Sequence, residues 1–133
     1  MSIRTMLFTA AAMALSVPFA HADNNHAGGA IRSMETAKGD ILTDAKGMTL
    51  YIHAKDGVGK SECYDQCAKD WPPLTAPKGT VSNDDDFTLI ERKDGTLQWA
   101  HNGRPLYLYI KDKKAGETTG DGVHGGQWHI AKE

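Results

Sequence analysis

This 133-residue chain contains two cysteines, which form the first set of residues that could do chemistry. Cys63 and Cys67 are its only cysteines, and three residues separate them. In an oxidising compartment such a pair forms a structural disulfide, which is the interpretation that we favour. The spacing differs from the C-x-x-C of thioredoxin-like sites, and no strand–helix–strand pattern surrounds it. A thiol-redox protein is therefore kept as an alternative.

Four histidines form the second set of candidates, because imidazole nitrogen suits copper, zinc or haem iron. They are His53, His101, His124 and His129. No two of them have the spacing of a known ligand motif, so we expect no cofactor. A metal- or haem-binding protein that uses His53 with one of the other three is the alternative.

Two aspartates could form an acid–base pair. Asp56 and Asp112 each follow a tyrosine by five residues, after Tyr51 and Tyr107 respectively, where a strand should end. A carboxylate at such a position caps the turn by accepting backbone N–H bonds. Because both aspartates occupy one position of a repeated pattern, we interpret them as capping residues rather than as a general acid and base.

The two tyrosines and the two aspartates belong to an internal repeat. Residues 47–56 and 103–112 share the frame Gly-x-x-Leu-Tyr-x-(His/Tyr)-x-x-Asp at an offset of 56 residues. A tryptophan follows each copy, Trp71 after the first and Trp128 after the second. The repetition indicates a framework of two similar units.

The elements that must position these residues are mainly strands. Alternating apolar and polar residues predict strands near 40–44, 49–53, 87–92, 96–100, 106–110 and 127–131. Asp-Gly and Asn-Gly pairs, at 94–95 and 102–103, are hairpin signals. Residues 115–126 are rich in glycine and predict a long loop.

The segment between the copies has a different character. Residues 61–70 contain few β-branched residues and predict a short helix that carries both cysteines. Ser61 would cap this helix, and the two prolines after Trp71 would end it. The fold class that follows is mainly β: a small antiparallel β domain of two pseudo-repeats with one short Cys-bearing helix. We expect Leu50 and Leu106 to be buried together and the tyrosines to face outward.

The beginning of the chain is typical of a secretory signal peptide. Residues 1–22 contain Arg4, an apolar stretch too short to span a bilayer, and a small-x-small cleavage pattern that ends at Ala22. Residues 23–38 predict a flexible lead-in, and 39–133 a single domain with copies near 41–71 and 97–128. We expect a periplasmic or secreted protein.

Charge restricts the partners of the mature chain. Without Arg4 it has 14 basic residues against 17 acidic ones, a net charge of −3 with histidine neutral. No basic stripe is present, so nucleic acid is not an expected partner. No second apolar segment is long enough to span a membrane, and no cysteine stands directly after the cleavage position. We therefore expect no membrane anchor. The expected partner is a protein or a small ligand.

The repeated pattern resembles a known bacterial family. That family is the secreted repeat of unknown function, also described as predicted lipoproteins with a Tyr-x-(Phe/Trp/Tyr)-x-x-Asp motif. Tyr107, Tyr109 and Asp112 match the motif fully, whereas His53 stands where the family has an aromatic residue. Further likeness lies in the cysteine pair, Trp-Pro-Pro-Leu, Asn-Gly-x-Pro-Leu-Tyr and the closing Gly-Gln-Trp, over about residues 39–131.

The resemblance implies an exported, repeated protein and no activity, so no catalytic residue is carried over. The cysteine to which many members attach a lipid is missing here. Because no nucleophile–base pair is evident, we expect a non-enzymatic periplasmic module that binds a ligand or partner through its tyrosine and histidine faces. Metal or haem binding and thiol-redox activity are the alternatives.

Overall fold

The structure is a computed structural model that describes residues 25–133, and it consists of short antiparallel strands in two similar halves. The first half contains β1 (Asn25–His26), β2 (Ile31–Thr36), β3 (Gly39–Asp44), β4 (Tyr51–His53), helix α1 (Gln66–Asp70) and β5 (Thr75–Ala76). The second half contains β6 (Phe87–Glu91), β7 (Leu97–His101), β8 (Arg104–Pro105), helix α2 (Val123–Gly126) and β9 (Trp128–Ile130). The mainly β fold class with a Cys-bearing helix is confirmed.

Each half contains a two-stranded hairpin, β2–β3 in the first half and β6–β7 in the second. In the first half Ile31 lies opposite Asp44, and in the second Phe87 lies opposite His101. Both hairpins turn their apolar residues inward. The two-residue turn Asn102–Gly103 then joins β7 to β8, with φ of +49° and +79° as this tight connection requires.

The start of the described chain corrects one expectation. Residues 25–36, which belong to the predicted flexible lead-in, form β1, a short 3-10 helix (Ala27–Gly29) and β2 instead. All six residues of β2 pair with β3, and Ile31 is completely buried in the core. The charged residues Arg32 and Glu35 within β2 are both exposed, and they conceal this strand in the sequence.

The two halves exchange their closing strands. β4 pairs with β9, which follows the second copy of the repeat, so that His53 lies opposite Trp128. The equivalent segment after the first copy pairs with the second half: Leu108 N–H donates to the Pro72 carbonyl at 2.7 Å, and β5 pairs with β7. Each half therefore receives its last strand from the other.

Two closed rings of backbone hydrogen bonds mark this exchange. In one ring Leu50 donates to Leu42 (2.9 Å), Leu42 donates to Ala131 (2.9 Å), and Ala131 donates to Leu50 (2.8 Å). The equivalent ring of the second half runs from Leu106 to Trp99, from Trp99 to Leu74 and from Leu74 back to Leu106. The same pattern in both halves relates them by a pseudo-twofold axis.

The two repeat segments that carry Leu50–Tyr51 and Leu106–Tyr107 are covered on both faces. Leu50 and Leu106 are fully buried in one apolar cluster, as expected. Tyr51 and Tyr107 are also fully buried and Tyr109 nearly so, in a second cluster. The expectation that the tyrosines face outward is wrong, because the chain segments that carry the two tryptophans pack over that face.

The helical segments differ from expectation in their limits. α1 begins at Gln66 rather than near Ser61, because the Ser61 hydroxyl points into the core, where it bonds the Tyr107 hydroxyl at 2.5 Å. A second short helix, α2, lies in the predicted glycine-rich loop. The predicted signal peptide, residues 1–22, lies outside the described residues. Among the described helices, neither has the length and apolar character needed to cross a membrane.

The exchange predicts that a cut between the halves leaves them together. We would replace residues 78–81, which lie in the loop between β5 and β6, with a protease recognition sequence and cleave the folded protein there. The fragments should elute as one species in size-exclusion chromatography, because strand pairing and the shared core hold them. The disulfide cannot link them, since both its cysteines lie in the first half. Urea is the control that should separate them, and separation in native buffer would contradict the exchange.

Candidate functional site

The two tyrosine–aspartate motifs bond across the pseudo-twofold axis. The Tyr51 hydroxyl donates to Asp112 Oδ2 at 2.6 Å, and the Tyr107 hydroxyl donates to Asp56 Oδ2 at 2.6 Å. At the axis the two tyrosines also exchange backbone hydrogen bonds, of 2.8 and 3.0 Å. Each aspartate of the repeat therefore serves the tyrosine of the other half.

The second oxygen of each carboxylate fixes the adjoining loop. Asp56 Oδ1 accepts the backbone N–H of Glu62 at 2.7 Å, and Asp112 Oδ1 accepts that of Thr119 at 2.9 Å. Both aspartates thus hold backbone as well as a phenol. Neither is a free carboxylate of the kind that acid–base catalysis requires.

Burial raises the pKa of Tyr51 and of Tyr107 well above the ordinary value for a phenol. The hydrogen bond to Asp112 or Asp56 adds to this rise, since an ionised phenol would face an ionised carboxylate. Both tyrosines therefore remain neutral donors throughout the physiological range.

Four aromatic rings stack through the second cluster. His53 stacks on Trp128 with centroids 4.2 Å apart, Trp128 on Trp71 at 3.9 Å, and Trp71 on Tyr109 at 3.9 Å. The rings alternate between the halves, and His53 and Tyr109 occupy equivalent ends. His53 thus fills the place of an aromatic residue by stacking as one, while it brings two ring nitrogens.

One of those nitrogens faces a buried carboxylate. His53 Nδ1 lies 3.5 Å from Asp56 Oδ1, and the two side chains are 7% and 1% exposed. This distance exceeds that of a normal hydrogen bond, and Nδ1 has no other protein partner in the described chain. A proton on Nδ1 would be attracted to Asp56, which leaves the lone pair of Nε2 available to another group.

His53 lines a cleft of about 300 Å³ at its end of the stack. The cleft is also lined by Cys67, Glu62, His124 and the edges of Trp71 and Trp128. The structure thus brings one predicted histidine, His124, to the same cleft as His53.

The other histidines lie elsewhere. His101 and His26 both stack on Phe87, with centroid distances of 4.7 and 4.8 Å. Burial lowers the pKa of His101. His129 is exposed, 3.8 Å from Asp121. Within residues 25–133, no three His, Cys, Asp or Glu side chains are grouped so that they could hold a metal ion.

The predicted disulfide between Cys63 and Cys67 is confirmed. Its two sulfurs have different surroundings. Cys63 is fully buried in the second cluster, whereas Cys67 is partly exposed and lines the cleft.

A buried arginine beside the disulfide is missing from the sequence-based candidates. The Arg92 guanidinium donates to the Cys63 carbonyl at 2.6 Å, to Ser61 Oγ at 3.0 Å and to Gln98 Oε1 at 2.8 Å. It also lies 4.3 Å from the centre of the Tyr64 ring. Charged residues at strand ends are normally solvated, so no signal in the sequence distinguishes Arg92.

Comparison with known proteins agrees with the two halves. The family model described as a secreted repeat of unknown function matches residues 32–75 and again 88–132. Each match covers one half of the pseudo-twofold arrangement. The chain belongs to this family, and the family's description as secreted supports an exported protein. No curated protein and no solved structure matches the chain.

The crossed bonds predict a clear difference among three tyrosine substitutions. Tyr51→Phe and Tyr107→Phe each leave a buried carboxylate oxygen without its phenol, which should lower the free energy of unfolding by about 1–3 kcal/mol. Tyr109→Phe is the matched control, since Tyr109 takes no part in the crossed bonds, and it should change that free energy by less than about 0.5 kcal/mol. Urea unfolding measures all three, and equal midpoints would contradict the proposed role of the crossed bonds.

Alkaline pH should destabilise the fold before the buried phenols ionise. Because the pKa of Tyr51 and of Tyr107 is higher in the folded than in the unfolded chain, the unfolded chain releases these protons first, near pH 10. The stabilisation is complete below that pH, and above it declines by about 1.4 kcal/mol per pH unit for each tyrosine. Urea unfolding between pH 8 and 12 tests this. Tyr51→Phe should halve the decline of the unfolding free energy with pH that the two tyrosines cause. An unchanged stability above pH 10 would contradict the prediction.

Proposed function

We propose that this exported protein is a non-catalytic module that binds a small ligand in the His53 cleft. One observation carries the proposal: a buried imidazole, whose Nδ1 lies 3.5 Å from a buried carboxylate, stands at the wall of a cleft of about 300 Å³. That volume is at the lower end of the range for ligand pockets. The tyrosine faces named as the binding surface from sequence are buried, so the site moves to the histidine end of the ring stack.

The lining of the cleft favours a ligand that donates hydrogen bonds and carries positive charge. Glu62 and Asp70 contribute two carboxylates to the lining, against the single cation of Lys55. With the proton of His53 on Nδ1, Nε2 accepts a hydrogen bond from the ligand. The edges of Trp71 and Trp128 offer apolar contact. A small organic amine with an aromatic or apolar body combines these properties.

A binding role fits the way in which the motif residues are used. The crossed bonds occupy the carboxylates of both repeats, and the tyrosines are neutral and buried. The tyrosines and aspartates of the repeated motif therefore offer no free acid or base to the cleft, and His53 is the motif residue that lines it. We infer that the compartment is a bacterial periplasm, reached after cleavage near Ala22, since both the disulfide and the secreted family support an oxidising environment.

A second candidate is a metal ion held by His53 and His124. It is favoured by the Asp56 carboxylate behind His53, because metal-ligating histidines usually direct their second ring nitrogen to such a group. The small volume of the cleft favours a single ion over haem.

Titration by NMR distinguishes these functions. Phenethylamine and phenylacetate have the same ring and opposite charge, so phenethylamine should shift the amide signals of Lys55, Cys67 and His124, and phenylacetate should shift them far less. His53→Phe preserves the ring stack and should weaken phenethylamine binding at least tenfold. Tyr109→Phe, at the equivalent end of the stack and away from the cleft, is the control and should bind normally.

The same spectra test the metal candidate with zinc chloride as the probe. Shifts at the cleft with zinc alone, lost in His53→Phe, would replace the organic ligand by a metal ion. An absence of shifts at the cleft with the amine and with zinc would contradict the proposed binding site.

A further inference from the structure

We propose that the Cys63–Cys67 disulfide is redox-active and accepts two electrons from a dithiol that enters the His53 cleft. Cys67 is the sulfur that is attacked, and Cys63 is the leaving thiolate. This activity goes beyond ligand binding. It uses the same cleft but does not depend on the amine or metal proposed above, and it is argued from separate contacts.

The unequal burial of the two cysteines sets the direction of attack. A thiolate must approach a disulfide along its sulfur–sulfur axis, so the reacting sulfur has to be accessible. Cys67 is partly exposed and lines the cleft, whereas Cys63 has no exposed surface. An incoming thiolate therefore meets Cys67, and the electron pair of the broken bond moves to the buried Cys63.

Arg92 supplies the charge that would receive this thiolate. Its guanidinium is 5% exposed and donates to the carbonyl of Cys63 itself. Its other hydrogen-bond acceptors, Ser61 and Gln98, are also neutral, and it pairs with no carboxylate among residues 25–133. The nearby Asp94 lies in an exposed turn, where it feels the charge of Arg92 without contact.

A buried cation without a carboxylate in direct contact is costly, and a neighbouring anion relieves that cost. Reduction of the disulfide provides such an anion at Cys63. A nearby cation lowers the pKa of a thiol, and a thiol of lower pKa leaves faster and favours the reduced pair. Because only three residues separate the cysteines, loop entropy adds little to the stability of the bond.

The transfer balances in two steps. One thiolate of the dithiol attacks Cys67 Sγ, which forms a mixed disulfide and releases Cys63 as a thiolate. The second thiolate of the dithiol then attacks the first sulfur of the same dithiol, which is bonded to Cys67 in the mixed disulfide, and releases Cys67 as a thiolate. The dithiol loses two electrons and two protons and becomes a disulfide, while the two cysteines gain the electrons and, on protonation, the protons. The reaction is stoichiometric, one dithiol for each protein disulfide.

The ring stack should report this reaction. The backbone N–H of Trp71 donates to the Cys67 carbonyl at 2.8 Å, and the Trp71 ring is one of the two inner rings of the stack. Opening the disulfide loosens this segment, so tryptophan fluorescence changes together with the redox state.

Dithiothreitol is the probe for the test, with the folded protein and the protein unfolded in urea compared at one pH. The fold should accelerate reduction at least tenfold, after correction for the effect of urea on reduction of oxidised glutathione. Alkylation and mass spectrometry measure the reduced fraction, and fluorescence follows the same course. A disulfide that serves structure alone would be reduced more slowly in the folded protein, and that result would overturn the proposal whether or not an amine binds the cleft.

Two pairs of variants assign the roles. The free Cys67 of Cys63→Ser should react with Ellman's reagent at least tenfold faster than the free Cys63 of Cys67→Ser; the reverse order would overturn the assignment of the attacked sulfur. Arg92→Gln should shift the equilibrium with glutathione at least tenfold toward the disulfide, and Arg92→Lys, which keeps the charge, less than threefold. A shift in neither variant would remove Arg92 from the proposal. The cysteine variants retain the Arg92 contacts, so they remain informative if Arg92→Gln does not fold.

Discussion

Two buried phenols, each bonded to a carboxylate of the opposite half, hold the centre of this protein together. A buried carboxylate is costly without donors, and a buried phenol is costly without an acceptor. The crossed arrangement satisfies both in each half. It also requires the halves to meet in one register, because the two tyrosines form a backbone pair at the pseudo-twofold axis. The exchanged strands and the alternating ring stack follow from that register.

The symmetry is incomplete, and the differences gather on one side. The position that holds Cys63 in the first half is Gly120 in the second, where a Cβ would come within 2.6 Å of Trp71. Ser61 bonds the Tyr107 hydroxyl and accepts a hydrogen bond from Arg92, whereas the Tyr51 hydroxyl accepts one from the Gly120 N–H. At this position the second half packs tightly against Trp71, whereas the first half has the disulfide, beside the His53 cleft. The candidate chemistry lies where the two copies have diverged.

The local pattern of the sequence reveals which residues alternate but not what covers each face. The hairpin turns, the two-unit framework and several strands could be predicted because their signals lie within a few residues of one another. β2 could not, and the strand predicted at 106–110 is reduced to isolated bridges at Tyr107. The pairing of His53 with Trp128 could not, since the partner is supplied by the other half. For the same reason the tyrosines were assigned to the surface, and Arg92 could not be recognised as a buried cation. The cleft depends on all of these long-range placements.

The interlocked strands also suggest how such a protein arises. A polypeptide with one copy of the repeat would lack the last strand of its sheet, and its own closing strand would have no strand to pair with. Two such polypeptides would complete each other as an isologous dimer, in which any substitution occurs twice. Joining the copies in one chain removes that constraint. After duplication and fusion, one subunit-like half can preserve the ancestral packing while the other acquires residues that a symmetric pair could not tolerate.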